Sequence, residues 1–354
     1  MIHQIYRLLP KLKDSSLLKK FRKQRNIHRL TKKLLYDAKN YSEECTEEFL
    51  HLYSPESPML DLKGKKVVYI VDQNGPRLGL SDRLRGAVFV YKCVKELKSN
   101  GVDVEFAINF TSPFSLDTYL VPNTYNWKIA TQDVSFNSTQ SEVISLGCLF
   151  TSKGAHGLAK YLKNRVENSS HNQIHIYTNA LLTHSYSQLF NELFRPSDII
   201  QKELDIYTQK LNNEKYISAT FRFQNLLGDF NEGDNYPALE NSIDQERLID
   251  KCLLQLDKLR QKNRNQKILV TSDSKRFLEK ARQVSSVFII EGDLVHMAFT
   301  DSNSIDLHKK SFVDFLMIAR AEKIHLLQTG KMYRSCFPYI ASLINKRPFK
   351  EIRF

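Results

Sequence analysis

From residue 64 onward, short β-branched runs alternate with stretches of helical spacing, and this rhythm constrains the fold more than any other feature of the chain. Strand, helix and strand in succession call for parallel pairing, because a parallel neighbour needs a long crossover and a helix usually supplies it. The run KKVVYIVD (65–72) predicts a buried strand after Gly64. A helix capped by Ser81 is expected over 82–99, with Gly101 just past its end. Further strands are expected at 102–110, 142–147 and 173–179. A second series opens with a strand at 215–223 and a long polar-faced helix over 242–264. It continues with strands at 266–273, 286–292 and 323–328, and with helices from Ser274, near 309–321 and near 333–345. The fold class is α/β, read as two Rossmann-like domains facing a cleft, with ligands at the carboxyl ends of the strands. A helix rich in Lys, Gln and Asn over 196–214 marks the split, giving α/β domains over 59–205 and 206–354.

The chain has 354 residues and a net charge of +13, but eleven of its 52 Lys and Arg fall within residues 1–35, beside the single acid Asp14. That segment carries +10, and the remaining 41 bases and 38 acids nearly cancel. The excess charge is therefore an appendage. Residues 1–58 read as a basic helical extension and a linker, the linker being the acidic, then Pro/Ser-rich stretch 42–58. Three uses fit the basic part: a helix lying on an anionic membrane surface, a grip on nucleic acid, or a helix packed on the body with a solvated charged face. Aromatic residues in it are too few for a row of base-stacking platforms, which weighs against nucleic acid. The five Cys are scattered, at 45, 93, 148, 252 and 336, so no zinc ribbon or thioredoxin-type site is expected. No apolar run reaches the roughly 18 residues needed to span a bilayer, and the start does not read as a signal peptide. The expected setting is reducing and cytoplasmic.

Four segments at expected strand ends can carry chemistry. In NGPRLGLSDRLRGA (74–87), Gly75 and Gly79 let the backbone approach a ligand, and a helix start presents N–H groups to an anion. Arg77, Arg83 and Arg85 add positive charge there. The spacing matches neither the phosphate-loop nor the dinucleotide glycine pattern, so neither an ATPase nor an NAD enzyme follows. In TFRFQNLLGDF (220–230), Arg222 ends an apolar strand between Phe221 and Phe223. Its planar fork suits phosphate oxygens, or an acid such as Asp229. VTSDS (270–274) offers Thr271, Asp273 and Ser274, groups fit for a ribose or nucleobase, or for capping a helix. In LLQTGKMYRSCF (326–337), Thr329, Gly330 and Lys331 can hold a phosphate, with Tyr333 and Arg334 behind them. His296, in EGDLVHMAF, is a further cleft candidate, although a lone His beside an apolar run is more often structural.

Taken together and in this order, the segments resemble the fucosyltransferase superfamily of GT-B arrangement, which includes the α1,2-, α1,6- and protein O-fucosyltransferases. GLSDRLRG (79–86) is similar to that family's G-G-L-G-[DN]-[RQ] segment. Thr220, Arg222, Gly228 and Asp229 are similar to its H-x-R-x-G-D strand end, residues 271–273 to its T-D strand end, and 329–334 to its Ser/Thr-rich turn. The stretch 309–327 resembles the helix and strand before that turn. The chain departs from the pattern in three places. Thr220 replaces the family His, four residues separate Phe223 from Gly228, and Thr-Gly-Lys replaces paired serines.

The resemblance implies a glycosyltransferase using GDP-fucose as donor substrate, bound mainly by the second domain, with inversion and no metal or other cofactor. It implies that Arg222 neutralises the leaving diphosphate, that Asp273 reads the nucleotide, that Thr329 and Gly330 contact phosphate, and that Gly79 faces the reacting centre. The absence of a D-x-D strand end agrees with metal-free transfer. The nearest carboxylates for an acceptor base are Asp82, Asp229 and Glu232. The implied acceptor is a glycan of a surface-polysaccharide pathway, and a lipid-linked one at the inner membrane face would suit the basic segment. Another nucleotide-sugar donor, a non-catalytic nucleotide-sugar-binding scaffold and an RNA-associated protein stay open as alternatives.

Overall fold

The computed structural model describes residues 33, 36–76, 78–147, 152–230, 238–295, 297 and 304–354. Its backbone is organised by two parallel sheets. The first holds β1 (Lys66–Val71), β2 (Glu105–Phe110), β4 (Ser141–Ser145) and β5 (Gln173–Tyr177) in the order β2-β1-β5-β4. The second holds β7 (Tyr216–Phe221), β8 (Lys267–Ser272), β9 (Val287–Phe288), β10 (Ile324–Gln328) and β11 (Phe349–Arg353) in the order β11-β10-β7-β8-β9. The short strands β3 (Leu120–Pro122) and β6 (Phe194–Pro196) pair antiparallel. Val67, Val68 and Tyr69 of β1 align with Phe106, Ala107 and Ile108 on one side and Ile174, His175 and Ile176 on the other. Both faces of such a central strand are covered, which is why its sequence is apolar without alternation.

Helices α2 (Leu80–Ser99), α3 (Ser152–Asn168), α4 (Tyr186–Leu193) and α5 (Asp198–Lys210) belong to the first half. The second half holds α6 (Ser242–Lys262), α7 (Lys275–Ala281), α8 (Ile305–Arg320) and α9 (Phe337–Ile344). The expected boundary between residues 205 and 206 falls inside α5, whose Ile200, Leu204 and Tyr207 are buried. The halves share apolar surface. Tyr119 stacks on Phe312 of α8 at 4.4 Å and donates to the Ile305 carbonyl at 2.9 Å, and Ser187 donates to the Ile344 carbonyl at 2.7 Å.

Two expectations need correcting. The strand expected over 286–292 forms only at Val287–Phe288. The stretch 42–58, expected as a linker, is packed on the first sheet. A helix, α1 (36–47), lies along β4, the edge strand, and its side chains bond that strand's backbone. Ser42 donates to the Ser145 carbonyl at 2.7 Å, and Thr46 Oγ1 accepts from the Ser145 amide at 2.9 Å. An edge strand otherwise offers such groups to other chains. Phe49 then stacks on Tyr177 at 4.1 Å, and the Tyr53 hydroxyl meets His175 Nδ1 at 2.7 Å. The rest of the basic segment, residues 1–32 and 34–35, lies outside the described residues.

Candidate functional site

In the second sheet, connections leave β7 toward β8 and β10 toward β11, in opposite directions. A crevice opens beyond the carboxyl ends of two such neighbouring strands, and this is where open α/β sheets hold ligands. Arg222 follows β7 and Thr329 follows β10, so both stand at this switch point.

Local packing fixes the backbone at Arg222. Phe221 and Phe223 are fully buried on either side of it, with Phe277 of α7 at 4.6 and 5.1 Å from their rings. The guanidinium lies over the Phe230 ring at 5.0 Å, and Nη1 is 3.1 Å from Asp273 Oδ2. Asp273, at the end of β8, also accepts from the amides of Phe223 at 2.9 Å and Gln224 at 2.7 Å. Burial pushes its carboxyl above the usual range, against the opposing pull of Arg222 and the two amides. The structure thus places Asp273 as the clamp on the Arg222 turn, with both oxygens used inside the chain rather than turned toward a base.

Asp229 and Ser274 hold each other. Asp229 Oδ2 accepts from the Ser274 hydroxyl at 2.8 Å and the Arg276 amide at 2.9 Å, while Ser274 caps α7 by accepting from the Phe277 amide. Asp229 Oδ1 is buried and has no hydrogen-bond partner among the described residues. Thr271 is bonded to Thr220 across the strands at 2.8 Å, so the residue standing where the resembling family has His is occupied by its neighbour. On the far side of the crevice, Gly330 adopts a left-handed φ of +55°, with open space where a side chain would stand. The Tyr333 amide donates to the Arg222 carbonyl at 3.2 Å, tying this turn to the first. Tyr333 is exposed, and Arg334 turns to the β11 surface, where its Nε bonds Glu351 at 2.7 Å.

The carboxyl edge of the first sheet is built otherwise. Gly79 is the residue before α2, with an ordinary φ of −73°. Arg83, expected to face an anion, is buried. It donates to the Leu78 carbonyl at 2.8 Å and to the Ser112 carbonyl, and burial lowers its pKa to about 10. Asp82 lies 2.8 Å from the buried Arg85, and burial raises its carboxyl. Asp72, singled out by no motif, accepts from the amides of Asn74 and Gly75 and from the Tyr177 hydroxyl at 3.0 Å. Arg77, Glu232 and His296 lie outside the described residues.

A groove of about 460 Å³ lies elsewhere, beside β4, and includes Glu43, Glu47, Glu142 and Arg165 in its lining but none of the strand-end residues above. Among the described residues no group of three or more His, Cys, Asp or Glu could hold a metal ion, and no helix is long and apolar enough to cross a membrane.

No family model and no curated protein matches this chain. Solved structures do. The fucosyltransferase NodZ from Bradyrhizobium aligns with a TM-score of 0.50 at 12% identity, over 80% of this chain and 92% of that one. Arabidopsis thaliana FUT1, as a mutant in complex with GDP, aligns at 0.48 with 13% identity, over 95% of this chain and 79% of that one. The apo form of POFUT1 aligns at 0.47 with 10% identity, over 83% and 99%. At these identities the likeness concerns architecture. The chain has the fucosyltransferase-like GT-B fold, as the sequence resemblance implied.

Proposed function

We propose that this chain is a glycosyltransferase that moves fucose from GDP-fucose to a glycan acceptor, with inversion and without a metal. The observation that carries the reading is Arg222, clamped by Asp273 at the β7–β10 switch point, with its carbonyl bonded to the Tyr333 amide of the turn that opens at Gly330. Loss of a diphosphate leaves negative charge that must be met in place. A preorganised guanidinium aimed at developing charge is typically worth about 3–4 kcal/mol, or roughly 10²–10³ in rate. In this reading residues 206–354 take the nucleotide sugar and 59–205 take the acceptor. Fucose as the sugar follows from the motif resemblance together with the NodZ-like fold, an analogy rather than a contact. Asp82 and Asp229 are held in internal bonds, so the chemistry rests first on charge neutralisation at Arg222. The +10 charge of residues 1–35 fits an anionic membrane surface, and with it a lipid-linked acceptor of surface polysaccharide on the cytoplasmic side.

One observation favours a second reading. Thr220 and Thr271 bond each other where a family His would stand, which suits a protein that holds a nucleotide sugar without transferring it, or one that takes a different sugar.

Thermal stabilisation by GDP, UDP, ADP and GDP-fucose, with and without EDTA, separates these cases. A ligand at 100 times its Kd adds about 2.7 kcal/mol. A GDP-selective shift that survives EDTA and vanishes in Arg222→Ala supports the donor site, and turnover of GDP-fucose then decides between transferase and binder. A preference for UDP or ADP would discard fucose, and no shift with any nucleotide would discard the reading.

A further inference from the structure

The helix α6 lies along the second sheet with Ile249, Cys252, Leu256 and Leu259 buried. Cys252 Sγ touches Met332 Sδ at 3.7 Å, which sets the middle of the helix against the turn that follows β10. Beside Cys252, Lys251 extends its ammonium to that turn and donates to Thr329 Oγ1 at 2.8 Å, passing over the Phe354 ring at 5.9 Å. Its neighbours differ. Arg276 and Lys280 are paired with Glu246, and Arg260 with Asp257. Lys251 instead addresses a neutral hydroxyl, and among the described residues no carboxylate forms an ion pair with it.

That contact orients Thr329. A hydroxyl has one proton to give. With its oxygen accepting from Lys251, the Thr329 proton is directed away from the ammonium, toward an acceptor. The next residue, Gly330, is left-handed and open on its side-chain face, and a Met332 amide bond to the Thr329 carbonyl closes the turn. Successive backbone N–H groups in such a turn make a concavity for an anion. Arg222 is joined to the same turn through the Tyr333 amide. One cation, Lys251, therefore stands at this turn, and the main chain that carries a second, Arg222, is bonded to it; two linked phosphates are the ligand chemistry that would use both.

Resting on the donor reading above, we propose that Lys251 is a diphosphate-binding residue, completing with Thr329 and Gly330 an anion cradle opposite Arg222. Lys251 supplies charge at the turn where Thr-Gly-Lys stands in place of paired serines.

The test is calorimetric titration of the full chain with GDP and with inorganic pyrophosphate, for wild type, Lys251→Met, Lys251→Arg and Arg222→Ala. Met keeps an unbranched side chain of similar length without the charge, and because Lys251 is exposed the melting temperature without ligand should stay that of the wild type. Lys251→Met should weaken GDP and pyrophosphate by roughly tenfold or more, the usual scale of a lost charged hydrogen bond. Lys251→Arg should recover most of that loss. If Lys251→Met binds both ligands as wild type does while Arg222→Ala does not, the cradle is overturned and the donor reading stands. If the wild type binds neither, both fall together.

Discussion

The two sheets have the same kind of edge and treat it in opposite ways. At the first, between β1 and β5, the space beyond the strands is filled from within. The Tyr177 ring lies 3.2 Å from where a Gly75 Cβ would stand, its hydroxyl holds Asp72, and Phe49 covers its other face. Arg83 and Arg85, the described arginines of this edge, are both buried, the former on carbonyls and the latter beside Asp82. At the second edge, Asp273 holds Arg222, and the Gly330 turn is open where a side chain would stand. A strand edge whose cations and rings are packed on one another has no room for a ligand, whereas an open turn has. Among the described residues the first edge is filled in this way, and the second keeps the open turn on which the proposed donor site rests.

Substitutions at the first edge should therefore damage stability and spare nucleotide affinity. The largest effect is expected at Gly86, in the second turn of α2. A Cβ there would lie 2.2 Å from the Thr178 carbonyl and 2.6 Å from the Tyr69 hydroxyl, backbone and buried groups that cannot step aside. Gly86→Ala should cost about 3 kcal/mol or more and lower the melting temperature by about 5 °C or more. The GDP-induced shift should persist in whatever fraction folds. Arg83→Met comes next, because it leaves the carbonyls of Leu78 and Ser112 without their donor. A loss of about 2–3 kcal/mol is expected in chemical denaturation. If Arg83→Met stayed folded and lost GDP, the first edge would have to be counted as ligand-facing and the contrast would break.

The alternation of strands and helices, and with it the parallel sheets, was legible because buried strands of a doubly covered sheet are continuous apolar runs. KVVYIV and KILVTS are of this kind. The edge strand β11, FKEIR, escaped because an edge exposes one side and its Lys, Glu and Arg break the run. The docking of 42–58 escaped for another reason. Ser42, Thr46 and Tyr53 act through hydroxyls on partners about a hundred residues away, and no local pattern marks such a bond. Arg222 could be singled out because a cation between two buried phenylalanines needs an explanation. Lys251 could not, since a lysine on a polar-faced helix looks like any solvated one until its distance to Thr329 is known.

The two halves also differ in how they bury histidine, and the smallest expected effect follows from this. His175 in β5 is enclosed between the Tyr53 hydroxyl on Nδ1 and Gln173 on Nε2, and burial lowers its pKa to about 3 from an ordinary 6.5. His325 in β10 faces the Ser218 carbonyl and is also lowered by burial. Between pH 6.5 and 3 the unfolded chain takes up a proton at residue 175 that the folded chain refuses. Stability therefore rises with pH through that window and falls on acidification, by up to about 1.4 kcal/mol per pH unit, while nothing is lost above it. Melting temperatures at pH 7.5 and 5.5 should diverge less in His175→Gln than in wild type, with His325→Gln between them. Equal slopes in all three would show that the web around Tyr53 and His175 admits a proton, and the first half would no longer stand as the filled one.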